Sequence, residues 1–344
     1  GMKIHEAIKE KAQSGETFIS FEFFPPRTDE GVKNLYARFG RMKEQHPVFV
    51  DVTWGAGGST SDLTVEICEK AKHEYGLEPN MHLTCTNMVP QKVEDALKKC
   101  RESDIENIVA LRGDPPAGHE MWSVTEGGYA CALDLVKFIK KEHGDEFCIS
   151  VAGYPEGHPN AISFVPTDYQ PASDAEAKRM AKVEPCEEYP EGGWFVCKDE
   201  NFAKEIAYLK EKVDAGGNVV LTQLFYDADL FIDFVKACRD QGITVPILPG
   251  IMPIQAYPGF RKMTKFCKTK VPADLDAKVE ELKDDVEGLK TFGVEYVANM
   301  CQKIIDASED GVKGLHFYTL NLEKATYAIM DKLGLKKSVP DSSQ

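Results

Sequence analysis

A single α/β domain folded as a (β/α)8 TIM barrel is the fold class this chain predicts, and three observations predict it. Short apolar, β-branched runs alternate with longer amphipathic stretches from end to end. The runs number eight, and each is followed by a helical pattern, which is the count for a (β/α)8 barrel. The competing arrangement, a doubly wound open sheet that binds a dinucleotide, would carry a GxGxxG turn after its first strand. This chain has Phe23-Phe24-Pro25-Pro26 there instead.

Taken in order, strands are expected at residues 17–23, 49–53, 81–84, 107–111, 147–152, 218–224, 244–248 and 314–318. Helices are expected at 30–44, 60–75, 89–100, 129–143, 201–215, 229–240, 255–267 and 322–333. Thr28-Asp29 supplies a cap for the first of these helices, and Gly57-Gly58-Ser59 precedes the second. Two segments break the alternation. Residues 163–198, after strand 5, mix proline, acidic and aromatic residues without a period, so they read as a long loop insertion with a helical turn or two. Residues 272–290, before strand 8, place Leu275, Val279, Leu282, Val286 and Leu289 on one helical face, an extra amphipathic helix packed on the barrel exterior. Residues 1–344 are thus expected to form one domain, with 335–344 as a tail.

Composition narrows the function. The 344 residues carry 41 basic and 56 acidic side chains, a net charge of −15, with 42% hydrophobic residues. That apolar fraction suffices for a large core. The charge argues against nucleic acid or an anionic membrane as partner, since both demand clustered Lys and Arg. No run reaches the roughly 18 apolar residues of a membrane span. Ten cysteines without a CxxC pair suit a reducing, cytoplasmic setting. Cys186 and Cys197 within the insertion are expected to be free thiols.

A barrel builds its site from the carboxyl ends of its strands. The first delivers Glu22 between Phe21 and Phe23, where desolvation should raise its pKa and make it a candidate general acid. The second ends in Thr53-Trp54 and a small-residue loop through which backbone amides can approach a ligand. The others supply His82, the Leu111-Arg112-Gly113-Asp114 turn, Tyr154 with His158, Gln223, and His316 with Tyr318. Metal and serine chemistry find little support: His119-Glu120-Met121-Trp122-Ser123 fails the HExxH pattern and no GxSxG occurs. His82, His158 and His316 come from three strand ends, but none neighbours further ligands, so no metal is expected. Such a cleft suits a planar cofactor and a small-molecule substrate with a heteroaromatic ring.

Together these strings resemble the methylenetetrahydrofolate reductase family. The strings are Ser20-Phe21-Glu22-Phe23-Phe24-Pro25-Pro26, Leu111-Arg112-Gly113-Asp114, Val151-Ala152-Gly153-Tyr154-Pro155 with His158-Pro159, Lys212-Val213-Asp214-Ala215-Gly216, Thr222-Gln223-Leu224-Phe225 and His316-Phe317-Tyr318-Thr319-Leu320-Asn321. They fall in family order between residues 4 and 334. The resemblance implies noncovalent FAD and ping-pong hydride transfer through flavin N5, reducing 5,10-methylenetetrahydrofolate to 5-methyltetrahydrofolate with NADPH or NADH. Opening the folate's five-membered ring needs a proton on N10, and the resemblance assigns that donation to Glu22.

Asp114 is implied at the flavin pyrimidine edge, where it also meets the pterin. Cofactor contacts are implied for Thr53, Trp54, His82, Leu111, Arg112, Gly113, Asp114, Ala132, Tyr154, His158 and Lys212. Folate or nicotinamide contacts are implied for Glu22, Asp114, Gln223, Tyr257 and Tyr318. The chain departs from the family at Leu322, where Arg is usual, at Cys131, where Tyr is common, and at Glu205, where Asp is found. The insertion is expected to shape the adenosine or polyglutamate end of the site. No carboxyl-terminal regulatory domain is expected in this polypeptide. Two other functions stay open: a flavin barrel dehydrogenase of another substrate, such as a proline-type dehydrogenase, and a non-catalytic folate or flavin binding module.

Overall fold

The computed structural model describes residues 2–55, 61–85, 88–112 and 132–338. Its centre is a parallel sheet of nine strands: β1 (Thr17–Phe23), β2 (Val50–Val52), β3 (Pro79–Thr84), β4 (Asn107–Leu111), β5 (Cys148–Gly153), β9 (Gly217–Thr222), β10 (Ile247–Leu248), β11 (Gly250–Ile251) and β12 (Lys313–Tyr318). They are ordered β10-β9-β5-β4-β3-β2-β1-β12-β11. The two ends of that order are one interrupted strand. β10 pairs with β9 and β11 with β12, on either side of Pro249, which has no N–H to give the ladder. Its carbonyl still accepts from His316 N–H at 3.1 Å, so the sheet closes on itself as a barrel.

Helices α2 (Asp29–Met42), α3 (Ser61–His73), α4 (Pro90–Glu102), α5 (Ala132–His143), α7 (Asp199–Ala215), α8 (Ala228–Asp240), α9 (Tyr257–Phe266) and α12 (Lys324–Lys332) follow the barrel strands. Thr28 caps α2, its side chain accepting from Gly31 N–H at 3.0 Å, as its position before the helix predicts. Alternation along the strands divides the core in two. Phe21, Phe23 and Phe317 point outward into the shell between sheet and helices. Phe18, Phe49, Val109, Cys148, Val219, Leu221 and Leu248 point inward at the amino-terminal end. An N-terminal helix not anticipated from the sequence, α1 (Ile4–Ser14), plugs that end with Ile4 and Ile8, and Ile4 N–H donates to Asn107 Oδ1 at 2.9 Å.

Two expectations are corrected. The insertion is not a loop but a three-stranded antiparallel sheet, β6 (Ser163–Val165), β8 (Gly193–Val196) and β7 (Ala181–Val183), with one short helix, α6 (Asp174–Lys178). Strands of three or four residues are too short for a period to show, and their core is one stack, Phe164 on Tyr189 at 3.9 Å with Phe195 edge-on to both. The segment before strand 8 is two helices, α10 (Ala273–Glu281) and α11 (Val286–Asp306). The predicted face breaks at Leu282: Leu275, Val279 and Leu289 are buried, whereas Val286 opens α11 and is 58% exposed. All nine described cysteines are free, Cys186 and Cys197 among them. Among the described residues no helix is long and apolar enough to cross a membrane.

Candidate active site

Register explains how the mouth of the barrel becomes polar. Glu22 is paired with Tyr318 on one side and Asp51 on the other, and Asp51 with Asn80. Paired positions share a face, so all four side chains turn inward above the apolar plug. Asp51 is the hub. Its Oδ1 accepts from Asn80 Nδ2 at 2.9 Å, and its Oδ2 lies 2.9 Å from His82 Nε2 and 3.3 Å from His316 Nε2. His316 Nδ1 in turn meets Ser20 Oγ at 2.7 Å. Burial opposes ionisation of Asp51, but His316 and His82 outweigh it and hold the carboxyl below the usual range. Burial likewise works against charge on His82, and the Asp51 bond and the nearby carboxylates overcome it, so His82 titrates above its ordinary value.

Glu22 Oε1 lies 3.5 Å from His82 Nε2. Burial raises the Glu22 pKa, Asp51 adds to the rise and the histidines resist it. The direction matches the sequence expectation, and the cause is different. Phe21 and Phe23 face away into the outer shell, so Glu22 is desolvated by the barrel interior and by Tyr318 beside it, not by its aromatic sequence neighbours. The Tyr318 hydroxyl donates to Thr222 O. Gln223 follows β9 in phase with inward-facing Val219 and Leu221, which directs it into the same mouth.

A cavity of about 290 Å³ lies at the same end of the barrel, between the carboxyl ends of β4 and β5 and the helices α5 and α7. Leu111, Arg112, Ala132, Tyr154, His158 and Lys212 line it, all six expected from the sequence, and Glu205 joins them. Lys212 is buried and donates to Ala152 O at 2.9 Å, its ammonium 4.9 Å from the Tyr208 ring centroid. Tyr154 meets His158 edge-on at 4.8 Å. Burial first, and then the positive charges of Arg112, Lys212 and Lys268, together lower the His158 pKa to about 4. His158 is therefore neutral near pH 7. Its Nδ1 accepts from Asn160 N–H at 3.0 Å, which puts the ring proton on Nε2 as a donor. Cations, a neutral imidazole donor and aromatic walls fit the diphosphate and flat rings of a dinucleotide. Thr84 Oγ1 and Trp54 Nε1 add buried polar atoms with no partner among the described residues.

The remaining expected residues fall as follows. Thr53 is half-buried and fixed through its backbone, its N–H donating to Phe23 O at 3.0 Å and its carbonyl accepting from Thr64 Oγ1 at 3.0 Å. The Tyr257 hydroxyl is engaged by Glu280 of α10 at 2.6 Å, directing it to the helix pair. Gly113, Asp114 and Cys131 lie outside the described residues. The three histidines weighed as metal ligands do not converge: His82 and His316 share Asp51, while His158 belongs to the cavity. Glu22, Asp51 and His316 bring ligand atoms within 4.8 Å of one another, but Asn80 and His82 already occupy both Asp51 oxygens. Sequence reasoning passed over Asp51, Asn80 and Ser20. The available signal was that Phe49, Asp51 and Thr53 share one strand face, so a lone charge in an apolar run had to point into the barrel.

Fold and site define a (β/α)8-barrel protein with an inward acid–histidine cluster beside a cation-lined cavity. The chain belongs to the methylenetetrahydrofolate reductase family, whose model matches residues 7–334. It is 47% identical over 334 residues to the probable methylenetetrahydrofolate reductase (NADH) of Oryza sativa subsp. japonica, covering 97% of this chain and 51% of the relative. Methylenetetrahydrofolate reductase 2 of Saccharomyces cerevisiae is 40% identical, covering 97% and 50%. The probable methylenetetrahydrofolate reductase (NADPH) of Caenorhabditis elegans is 32% identical, covering 97% and 45%. The chain thus spans about half the length of these relatives. Among solved structures, a Clostridium thermocellum protein described as binding two copies of 5-methyl-5,6,7,8-tetrahydrofolic acid superimposes with a TM-score of 0.55 at 12% identity, covering 95% of this chain and 97% of that one. That likeness concerns the fold.

Proposed function

We propose that this chain reduces 5,10-methylenetetrahydrofolate to 5-methyltetrahydrofolate, with FAD held noncovalently and NADH as reductant. The observation that carries the reading is Glu22: a half-buried carboxyl with a raised pKa at the mouth of the barrel, beside a cavity suited to a dinucleotide. NADH is preferred over NADPH because the relatives at 46–47% identity are named for NADH and the one named for NADPH stands at 32%. Free cysteines throughout the described residues suit a cytoplasmic setting.

Arg112, Lys212, Tyr154 and His158 would hold the FAD, the two cations against its diphosphate and the aromatic pair against its rings. Bound FAD would supply a two-electron carrier between nicotinamide and folate. The chain's own task is the proton. The folate N10 is a weak base, and ring opening needs an acid that is still protonated near neutral pH. Glu22 is assigned that part, since burial moves its pKa upward. His82, anchored by Asp51, stands 3.5 Å behind it and stabilises the carboxylate left after donation. Gln223 offers an amide to the paired donors and acceptors of the pterin, and Tyr318, bonded to the preceding Thr222 carbonyl, supplies an aromatic wall. Asp114 is assigned to the flavin edge by the resemblance alone.

Anaerobic reduction tests this. The purified protein should be yellow, bleach on NADH and regain colour with methylenetetrahydrofolate. Glu22→Gln should bleach at the wild-type rate and fail to recover colour with folate, by at least about a hundredfold in rate. A colourless wild-type protein removes the FAD reading. A Glu22→Gln variant that turns over normally removes the acid.

A further inference from the structure

Helix α9 closes on a residue that its backbone does not favour. Thr269 N–H donates to Thr264 O at 2.8 Å and Lys268 N–H to Lys265 O at 3.2 Å, the paired bonds of a Schellman end. This end needs one left-handed residue, and Lys268 takes it with φ 53°. Helices α8 and α12 close on the same pattern, but there glycine occupies the position: Gly242 at φ 82° and Gly334 at φ 72°. A residue with a Cβ is strained in this conformation, and glycine is not. Helix α4 also closes this way, on Asp104 at φ 58°, a residue type that tolerates the left-handed region, so a lysine kept there on α9 points to what its side chain does.

The Lys268 side chain reaches back to the loop that borders the cavity. Its Nζ donates to Pro159 O at 3.2 Å, and Pro159 lies between His158 and Asn160, which both line the cavity. The same ammonium lies 5.1 Å from the ring centroid of Phe195 on β8, so it touches the inserted sheet as well. Neighbouring Lys270 is neutralised by Asp227 at 3.1 Å, while Lys268 has no carboxylate partner among the described residues. Its charge acts instead on His158, alongside Arg112 and Lys212. The Lys270 N–H secures the same loop from the other side, donating to Glu156 Oε1 at 2.7 Å.

We propose that Lys268 is a positioning residue and third cation of the cofactor cavity, fastening the loop 154–160 to the inserted sheet and drawing in a dinucleotide diphosphate. The inference rests on the FAD reading above. It also assigns the insertion a role: its Phe195 supports the lysine that holds the cavity loop.

The test titrates FAD into flavin-stripped protein by fluorescence, for wild type, Lys268→Gly and Lys268→Arg, at low and high salt, with melting temperatures in parallel. Glycine suits the backbone, so Lys268→Gly should melt no lower than wild type. Its FAD dissociation constant should rise about tenfold at low salt. The gap should narrow as salt screens the charge, and Lys268→Arg should restore most of the affinity. Wild-type affinity and salt dependence in Lys268→Gly overturn the proposal. So does a Lys268→Arg variant as weak as the glycine one, because charge would then not be the cause. If the wild type itself takes up no FAD, the functional reading falls and this inference falls with it.

Discussion

Asp51 shows how a single buried charge organises the site. It holds Asn80 and His82 at 2.9 Å and has His316 at 3.3 Å, so its removal strands several polar groups in a barrel interior. Breaking such a cluster costs about 3–5 kcal/mol, and Asp51→Asn should lower the melting point accordingly. The pH dependence follows from the two shifts. Asp51, held below its ordinary 3.8, contributes stability that is complete above 3.8 and lost as pH falls towards its lowered value. His82, held above its ordinary 6.5, contributes stability that is complete below 6.5 and lost as pH rises through its raised value. The gap between wild-type and Asp51→Asn melting temperatures should therefore be widest between 3.8 and 6.5 and shrink above. A gap that widens from pH 6.5 to 9 would contradict the ion pair. Glu22 was legible in the sequence because an acid flanked by aromatics stands out. Asp51 left a weaker signal, a lone acid sharing a strand face with Phe49 and Thr53, and its partners Asn80 and His316 come from other strands. His316 was visible only as one of three histidines, and the strand pairing that joins it to Asp51 is a long-range fact.

At the level of elements, the seventh barrel strand decides whether the sheet closes. Expected as residues 244–248, it is instead two short pieces on either side of Pro249, with Gly250 N–H donating to Thr222 Oγ1 at 3.0 Å. The close approach explains the glycine. A Cβ at Gly250 would stand 2.2 Å from Thr222 O and 2.5 Å from Tyr318 Cε2, and neither a ladder carbonyl nor a packed ring can withdraw. Gly250→Ala should cost about 1–3 kcal/mol and displace Tyr318 from Thr222. Thermal melts and the folate KM measured together check this: a variant with unchanged stability and KM would mean that the seam is slack. Long periodic elements such as α2 and α8 were readable because their apolar faces repeat. The inserted sheet was not, because its strands are held by Phe164, Tyr189 and Phe195 meeting across the sheet, a contact that no local period announces. The N-terminal helix went unread for a related reason: only Ile4 and Ile8 of its 11 residues are buried.

Across the whole molecule the barrel has two unlike ends, and that polarity separates stability from chemistry. One end is an apolar plug, where α1 seats Ile4 and Ile8 on Phe18, Phe49, Val219 and Leu248; the other is the charged mouth around Asp51. The single-barrel architecture was legible because eight repeats span the chain, but which end is sealed depends on a helix outside the repeat. The net charge of −15 is likewise a property of the surface, since Arg112, Lys212 and Lys268 gather positive charge around His158. Stability and activity should therefore come apart under mutation. Ile8 is fully buried, and Ile8→Ala removes its side chain from a plug with little room to collapse, at a cost of about 2–5 kcal/mol. The plug holds none of the cavity's cations and none of the Asp51 cluster's polar groups; it meets the cavity through Leu111 and the cluster through Phe49, which stacks on His316 at 5.4 Å. The melting temperature should fall while flavin content, kcat and the FAD dissociation constant per folded molecule stay at wild-type values well below the transition. Loss of flavin affinity in proportion to the loss of stability would show instead that the plug and the mouth move as one unit.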